Sequence, residues 1–528
     1  MNEEIPEQTT SSPRTREASA PYLLGNRRAA SDQLTEDTGG RAEESDPPIL
    51  LRDGSAVHMG KERAEGHCGH RTDARGRNAP VQSVSSALSA LTRKAEREPE
   101  HRFRSLYRLI DLQMLYESFG KLKRGAAPGV DGLTVSAYEE NLDGNLRSLL
   151  ERLIAKRYRA QPVRRRYIPK GGGKLRPLGI PSLEDKIVQH AASRILESIW
   201  ESDFSERSIG YRRGSPGGRK ASCQLARELD SGTYRWVVEA DVRSFFENVD
   251  HDWLVRMLEQ RISDRAFLGL IRKWLKAGVL EPDADELEFP DAGTPQGGNI
   301  SPVLANIYLH YVLDLWIEKR VGGASRGKVL FMRYADDAVV CFEKECDARN
   351  YLNQLPGRLA KFSLRLAGEK SSLVKFNRWE PDSSGKFTFL GYDFYWARTR
   401  RNPRHKMVRR RTNKKKYRAA LRKMKDWIRK ARSWQLRMIL SSLRKRLCGY
   451  WNYYGVIGNS SMTWRYHSAV KMLVYKWLNR RSQRKSYRWA KFKELYHGSW
   501  QIPSPRIVEQ RVPHGRGGSA PQTEFAGI

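Results

Sequence analysis

The sequence predicts a mixed fold, α/β or α+β, joined to a strongly basic helical unit. Between about residues 167 and 397, segments of strand character alternate with amphipathic helical segments, as in domains that layer helices on a sheet. Residues 396–495 contain 32 Lys or Arg and only two acids, and their apolar residues recur at helical spacing. A surface that is merely solvated usually mixes both signs of charge, so this unit is interpreted as a set of basic amphipathic helices.

The composition narrows the class of protein further. Lys and Arg number 96 against 60 Asp and Glu, which gives the 528 residues a formal net charge of +36. Such a field is favourable beside a polyanion, so nucleic acid is the expected partner. The sequence lacks C-x-x-C pairs, a signal peptide and an apolar run of membrane-spanning length, so we expect neither a zinc ribbon nor a membrane partner. We expect a protein of the reducing cytoplasm that associates with nucleic acid.

The first 200 residues are predicted to contain a leader, three helices and a loop. Residues 1–82 are polar and without apolar periodicity, which predicts a mobile leader. Apolar spacing predicts helices over 86–92 and 103–122. A Gly/Pro-rich loop over 125–132 follows, and Pro181-Ser182 marks the start of a helix over 183–199. The predicted units are a leader 1–82, a mixed unit 83–395, a basic helical unit 396–495 and a tail 496–528.

Three acidic residues follow or join predicted strands. Strand character is found over 234–240, 329–333 and 338–342. Asp336 and Asp337 therefore lie at the tip of a predicted hairpin, and Asp241 directly follows the first of these strands. If the strands are neighbours, the three carboxylates meet at one end of a sheet.

This arrangement favours a metal site. Uncompensated carboxylates between buried strands are unfavourable, and a divalent cation resolves the conflict. Mg²⁺ prefers a few carboxylates together with phosphate oxygens, and two such ions serve in-line phosphoryl displacement. An Asp-Asp pair by itself is more often a surface turn, and that alternative stays open at this point.

These motifs together resemble bacterial group II intron-encoded reverse transcriptases. The resemblance covers about residues 100–495, and the motifs occur in the order and spacing of that family. They are Tyr334-Ala-Asp-Asp337, Asp241 with Phe245-Phe246, the segment 293–306 (GTPQGGNISPVLAN) and the segment 167–181 (YIPKGGGKLRPLGIP). The resemblance implies an α+β right-hand polymerase of fingers, palm with antiparallel sheet and helical thumb, followed by a helical maturase domain. It also implies an RNA-directed DNA polymerase that uses two Mg²⁺ ions, or Mn²⁺, and assists intron splicing and mobility.

The resemblance assigns roles to individual residues. Asp241, Asp336 and Asp337 would be catalytic and metal-binding, with Val242 completing the metal set. The nucleotide-binding set would be Lys170, Arg176, Phe246, Gln296 and Lys370. Phe246 would be the steric gate against a 2′-hydroxyl, although an aromatic residue beside a strand is usually core. Lys170, Arg176 and Lys370 have the alternative of being solvated surface residues. The strand pair around 389–392 resembles a primer grip.

The basic helices are predicted to bind RNA. The segment 449–455 (GYWNYYG) resembles the maturase signature of the same family. Exposed aromatic rings can stack on unpaired bases while Lys and Arg neutralise phosphates, but the same rings could instead form the core of a helical bundle. The predicted RNA-binding residues are Arg409, Arg410, Lys414, Lys415, Arg422, Trp451, Tyr453 and Arg480.

The implied partners are intron RNA in a ribonucleoprotein, an RNA template with a DNA primer, dNTPs and a DNA target. No Cys/His cluster follows Ile507, so we expect the endonuclease domain of many relatives to be missing. Two other functions remain open: a related reverse transcriptase that serves phage defence or CRISPR adaptation, and a non-catalytic intron RNA chaperone.

Overall fold

The structure, a computed structural model, describes residues 83–509 apart from short gaps. The gaps are residues 172–173, 282–286, 290–291, 295–296, 381–383, 400–401, 403, 482–483 and 485, and the side chains at 170, 174 and 370 are also not described. The described residues belong to one unit, Leu50–Ile528. The predicted leader lies outside them. Across the described part of the chain, no helix is both long and apolar enough to cross a membrane.

Four of the five N-terminal helices, all but the fourth, begin at a capping side chain. Their bounds are α1 Val84–Arg97, α2 Leu112–Gly120, α3 Val135–Glu139, α4 Leu142–Ile154 and α5 Leu183–Trp200. The Ser182 hydroxyl accepts a hydrogen bond from the backbone N–H of Asp185, a cap that satisfies an otherwise unpaired N–H group. The predicted helix over 183–199 is thus confirmed as α5. The predicted helix over 103–122 is wrong in its first half, because Ser105 has a left-handed backbone and α2 begins only after the Asp111 cap.

The described strands form three sheets. Their bounds are β1 Val163–Gly171, β2 Lys174–Ile180, β3 Trp236–Ala240, β4 Val279–Leu280, β5 Leu287–Glu288, β6 Val329–Tyr334, β7 Asp337–Phe342, β8 Ser372–Lys375, β9 Phe387–Phe389, β10 Tyr392–Arg398 and β11 Lys406–Thr412. The central sheet is antiparallel with the order β6-β7-β3-β8. The other sheets have the orders β2-β1-β4-β5 and β11-β10-β9. The three strands predicted from the sequence are confirmed as β3, β6 and β7.

The remaining helices complete the mixed unit and form the basic unit. Their bounds are α6 Gly217–Leu229, α7 His251–Glu259, α8 Arg265–Leu275, α9 Ser301–Leu309, α10 Gly322–Ala324, α11 Glu345–Ala360, α12 Lys414–Ala431, α13 Leu436–Tyr454, α14 Ser460–Leu478 and α15 Trp489–His497. Helix α9 continues into two π-helical segments, His310–Asp314 and Ile317–Val321. Helices α12 and α13 confirm the helical periodicity of the basic region.

Three apolar clusters hold these elements together. The largest contains one face of the central sheet and helices α1–α5, α7–α9 and α11, the second lies between the central sheet and β9–β11, and the third lies within α12–α15. Trp500 and Ile502, both 6% exposed, belong to the third cluster. The packed helical region therefore extends beyond the predicted boundary at residue 495, which falls inside α15. The chain has the mixed helix and sheet content that its sequence predicts.

Candidate active site

The β6/β7 hairpin carries two of the three predicted catalytic acids. Tyr334 pairs with Asp337, so Ala335 and Asp336 form the turn, and Asp337 is the first residue of β7. Ala335 has a left-handed backbone, φ 57°. Gly210 lies against this turn so closely that a Cβ atom there would be 2.4 Å from the Ala335 nitrogen. Only glycine fits at this position while the turn keeps its place.

Strand register brings Asp241 to the same end of the sheet. Ala240, the last residue of β3, pairs with Ala338 of antiparallel β7. The next residues at this edge are Asp241 on one strand and Asp337 on the other. The structure therefore brings the three predicted catalytic acids to one sheet end. Val242, the fourth predicted metal residue, is buried and bridges Leu366.

The electrostatics of Asp337 depend on its neighbours. Asp337 has exposed surface at the end of the sheet, yet many protein atoms lie around its carboxylate. This desolvation raises the pKa of Asp337 to about 7, and the charges of Asp336 and Asp241 act in the same direction. The Leu390 N–H, 3.3 Å from Asp337 Oδ2, and the charge of Lys416 oppose the shift. The three carboxylates therefore repel one another when they are ionised, and a bound cation would reduce this repulsion.

The donor set fits the chemistry of a hard divalent ion. Mg²⁺ takes oxygen ligands, usually one or two carboxylates with substrate phosphates, and the three acids offer only carboxylate oxygens. As the side chains stand, however, no group of three or more His, Cys, Asp and Glu within the described residues is placed to hold a metal ion. Backbone placement and residue chemistry thus agree with the predicted site, and metal ligation by these residues stays a prediction.

The predicted nucleotide-binding residues are described to different extents. Arg176 is exposed on β2, and Phe246 is half-buried in a short 3₁₀ turn with its ring edge-on to the buried Phe245 at 5.2 Å. Lys170 lies on β1 and Lys370 follows Glu369 in another 3₁₀ turn, but their side chains are not described. Gln296 lies outside the described residues.

The glycine-rich loop beside Gln296 approaches β2 closely. Gly297 has φ +125°, and a Cβ atom there would be 2.5 Å from the Gly179 carbonyl oxygen. Glycine permits this close backbone approach to β2, because a side chain at residue 297 would collide with the strand. The loop therefore lies against the strand that carries Arg176.

Tyr211 is a site residue that the sequence alone does not single out. Burial raises the pKa of its hydroxyl, Asp336 adds to the rise, and Arg176 opposes it. Tyr211 is consequently within electrostatic range of both the hairpin acid and the β2 arginine. Its backbone is left-handed, φ 57°, an unusual conformation for an aromatic residue. The positive φ could not be deduced from sequence periodicity.

The hairpin of β9 and β10 contacts the acids directly. Its two-residue turn, Leu390-Gly391, has positive φ at both residues, as type I′ turns require. The Leu390 N–H donates to Asp337, and the Leu390 carbonyl accepts a 2.8 Å hydrogen bond from the Tyr453 hydroxyl. This turn, predicted to resemble a primer grip, thus joins the acid cluster to α13.

The predicted RNA-binding residues divide into two groups. Lys414, Lys415, Arg422 and Arg480 are exposed, and Arg409 is partly exposed. Trp451 is fully buried with its indole N–H donating to the Pro503 carbonyl, and Tyr453 stacks on Tyr392. The structure favours the core alternative for both rings, because Trp451 has no exposed surface and Tyr453, although partly exposed, packs on Tyr392 and Tyr454 and donates its hydroxyl to the Leu390 carbonyl.

The prediction that Arg410 binds RNA is also corrected. Arg410 is 4% exposed, forms an ion pair with Glu509 and donates a 2.9 Å hydrogen bond to the Ser222 hydroxyl. Glu509 also accepts a 2.7 Å hydrogen bond from the Ile457 N–H. The pair therefore joins the segment after α15 to β11 and α6, and it leaves no face of the guanidinium for phosphate.

Removing the Glu509 charge is expected to destabilise the protein. Glu509→Gln leaves Arg410 buried without its counter-ion, a change that typically lowers the free energy of unfolding by about 3–5 kcal/mol. Burial favours the neutral acid, but Arg410, Cys223 and the Ile457 N–H outweigh it and lower the pKa of Glu509. The pair's contribution is therefore present above the unfolded-state pKa and lost as pH falls through the lower folded-state value. Denaturant unfolding between pH 3 and 7 measures both effects.

Glu494→Gln is the matched control for this experiment. Glu494 pairs with Lys491 on an exposed face of α15, where both side chains are more than half accessible. Exposed pairs contribute about 0.2–1 kcal/mol, so this variant should unfold almost like the wild type. Equal stability losses in the two variants would contradict the role given to Arg410 and Glu509.

The comparisons with known proteins agree with the geometry. Residues 168–394 match the family model described as reverse transcriptase (RNA-dependent DNA polymerase). The chain is 32% identical over 350 residues to protein YkfC of Escherichia coli, a match that covers 60% of this chain and 90% of YkfC. It is 28% identical over 394 residues to the group II intron-encoded protein LtrA of Lactococcus lactis, and the match covers 63% of each chain.

The fold and these matches define the chain as a reverse transcriptase, a class of RNA-directed DNA polymerases and hence of nucleotidyltransferases. Among the relatives is also the putative COX1/OXI3 intron 1 protein of Saccharomyces cerevisiae, 33% identical over 233 residues that cover 43% of this chain and 26% of the yeast protein. The chain belongs to the group II intron reverse transcriptase/maturase family. Its match spans less than two-thirds of the length of LtrA.

Proposed function

We propose that the protein extends a DNA primer on an RNA template by two-metal nucleotidyl transfer, and that it binds intron RNA as a maturase that assists splicing and mobility. One observation carries the catalytic proposal. Asp241 at the end of β3 lies across the strand register from Asp337, beside the hairpin turn that contains Asp336. Sequence distance separates these acids, and antiparallel pairing brings them together.

The order of the sheets supports a right-hand organisation. The central sheet with the acids would be the palm, and the β1/β2 hairpin with Arg176 would belong to the fingers. The β9/β10 turn would hold the primer end, since it contacts Asp337 directly. Helices α12–α15 would form the thumb and maturase region. We keep the predicted unit 83–395 and extend the basic unit to residue 509, because the segment after α15 is packed into it.

The chain's own residues would prepare the reacting groups. The Leu390 N–H keeps one carboxylate oxygen of Asp337 oriented, and Lys416 lowers the local negative potential. Two divalent cations, Mg²⁺ or Mn²⁺, would when bound supply activation of the primer 3′-hydroxyl and stabilisation of the departing pyrophosphate. Asp241, Asp336 and Asp337 would hold them, with the backbone of Val242 alongside. Arg176 and Lys170 would bind the triphosphate of the incoming dNTP, and Gln296 and Lys370 would lie near the nucleotide.

Phe246 is expected to select deoxyribonucleotides. Phe246→Val removes most of a half-buried ring that packs on Phe245 near the Asp241 strand end, so a 2′-hydroxyl gains space. Since modest changes of pocket volume alter discrimination by about 10- to 200-fold, we expect ribonucleotide incorporation to rise by at least about tenfold relative to dNTPs. Single-nucleotide primer extension with each dNTP and rNTP pair measures this ratio.

Phe245→Val is the control for the gate. Phe245 is 2% exposed and belongs to the main core cluster, so its truncation should lower thermal stability without changing sugar selectivity. If the Phe246→Val enzyme kept the wild-type preference for dNTPs, Phe246 would not be the steric gate.

The central test of the proposed function is primer extension by the purified full chain. An RNA template annealed to a DNA primer should be extended with dNTPs in Mg²⁺, and chelation of the ion should stop the reaction. Tight RNA binding without extension in either Mg²⁺ or Mn²⁺ would overturn the polymerase proposal and leave an RNA chaperone. Splicing of an intron RNA with and without the protein tests the maturase role separately.

A further inference from the structure

A buried arginine lies directly behind the hairpin turn that carries Asp336. Arg333 on β6 is 1% exposed. Its guanidinium donates to both carboxylate oxygens of Asp314, with Nε–Oδ1 and Nη2–Oδ2 distances of 2.7 and 2.6 Å. Its Nη1 atom donates to Asn306 Oδ1 and to the Ala335 carbonyl oxygen, both at 3.0 Å. Arg333 therefore holds the first residue of the turn from inside the protein.

The irregular helix after α9 supplies the acid partner. Asp314 is fully buried and ends the π-helical segment His310–Asp314. In a regular α-helix, residues 306 and 314 would point about 80° apart. The wider π turns reduce this angle, so that Asn306 and Asp314 can both reach one guanidinium. Single π turns in helices are rare and are frequent at functional sites.

A second set of contacts connects the turn to the segment before α6. The Arg333 backbone pairs with the segment before α6, since its N–H donates to the Arg207 carbonyl and its carbonyl accepts from the Ile209 N–H. Asn306 donates a 2.7 Å hydrogen bond to the carbonyl of Gly210, the residue packed against Ala335. Asn306 thus connects the guanidinium to the segment that packs against the turn.

Stability alone is a weak explanation for this network. A buried ion pair loses the hydration of both charges, and apolar pairs of similar volume are often as stable or more stable. An apolar pair could not donate a hydrogen bond to the Ala335 carbonyl, and so it could not fix the direction of that carbonyl group. Ala335 is in a left-handed conformation that alanine rarely adopts, and such a conformation persists only where the surroundings impose it.

We propose that Arg333, with Asp314 and Asn306, is a positioning residue that fixes the Ala335-Asp336 turn, so that Asp336 and Asp337 keep the geometry needed for nucleotidyl transfer. This inference rests on the proposed function. Arg333 would touch no reacting atom, because its side chain is buried and its guanidinium is bonded to Asp314, Asn306 and Ala335. Loss of Arg333 should therefore slow the chemical step and make the hairpin less ordered, while substrate binding changes much less.

The test uses the full chain with Arg333→Met and Asp314→Leu combined, a change that removes both buried charges together. We expect wild-type thermal stability within a few degrees, faster amide hydrogen exchange in residues 329–342, and a loss of kcat of about 100-fold, as for small misplacements of reacting groups. The KM for dNTPs and the affinity for RNA should stay within about twofold, and half-maximal activity should need more Mg²⁺.

Two further variants keep the proposal falsifiable. Arg333→Lys keeps the charge but cannot make the same four hydrogen bonds, so it should show the same changes in exchange and kcat. It can therefore replace the double variant in the test if the double variant does not fold. Arg261→Gln removes another buried arginine, which binds the carbonyls of Ala95 and Pro99 and pairs with Asp203. It should lose stability while hairpin exchange stays as in the wild type.

Unchanged hairpin exchange and unchanged kcat in a folded Arg333 variant would overturn the positioning role. If the wild type extends no primer, the polymerase proposal fails by itself. Hydrogen exchange would still decide whether Arg333 holds the turn, so the two failures are distinguishable.

Discussion

Asp336→Asn is expected to abolish primer extension while RNA affinity stays near the wild-type value. The asparagine keeps the size of the side chain in the Ala335-Asp336 turn but removes the charge that would hold a divalent ion and balance the developing charge on the phosphate. Metal ions supply several kcal/mol of transition-state stabilisation. At about 1.4 kcal/mol per factor of ten, we expect a loss of about 1,000-fold or more. Single-turnover extension and filter binding of RNA measure the two quantities.

Asp337→Asn should have an effect of similar size for a related reason. Asp337 lies opposite Asp241 and accepts the Leu390 N–H, so its carboxylate belongs to the same cluster. Mn²⁺ binding followed by electron paramagnetic resonance should weaken in both variants. This readout separates loss of the ion from loss of the fold.

Asp252→Asn is the matched control. Asp252 is an exposed acid in the first turn of α7, and its replacement removes one negative charge from the protein without touching the cluster. It should extend primers at the wild-type rate. If Asp336→Asn lost RNA binding in parallel with extension, or retained extension, the acid would not have the role given to it.

Neutralising the exposed face of α12 is expected to have the second-largest effect, on RNA binding. Lys415, Arg418, Arg422 and Lys425 recur at helical spacing and are all exposed, whereas Met424, Ile428 and Ala431 of the same helix are buried. Replacing the four cations with Gln should lower the slope of log K against log salt by about 3, since each phosphate contact contributes about 0.7–0.9. At physiological salt the affinity should fall on the order of 100- to 1,000-fold.

The control for this experiment removes the same number of charges elsewhere. Arg147, Arg272, Arg349 and Lys375 are surface cations that pair with Asp143, Glu259, Glu345 and Glu380. Their combined replacement by Gln lowers the net charge equally, and it should leave the salt slope almost unchanged. Equal effects of the two sets would mean that overall charge, and not the α12 face, determines RNA affinity. Unchanged binding in the α12 variant would mean that RNA binds to another surface of the protein.

The sequence predicted the features that depend on short-range patterns. Apolar runs of strand character on both sides of Asp336 and Asp337 predict a hairpin, because a two-residue turn between strands is a local structure. Strand character before Asp241 predicts its place at a strand end. The apolar spacing of 417–431 and 436–447 predicts α12 and α13 for the same reason, since helix periodicity is set by 3.6 residues per turn. The family motifs then added the expected roles.

Tertiary structure alone decided which basic and aromatic residues face outward. Arg410 and Arg409 are neighbours on β11, yet Arg410 points into the protein because Glu509 and Ser222 are there to pair with it. Trp451 is covered by the segment after α15. Likewise Arg333 and Asp314, and Leu390 and Tyr453, meet only after the chain has folded. Such pairs lie far apart in sequence, and the free energy that orients them comes from burial and hydrogen bonding between elements, which no local pattern of residues encodes.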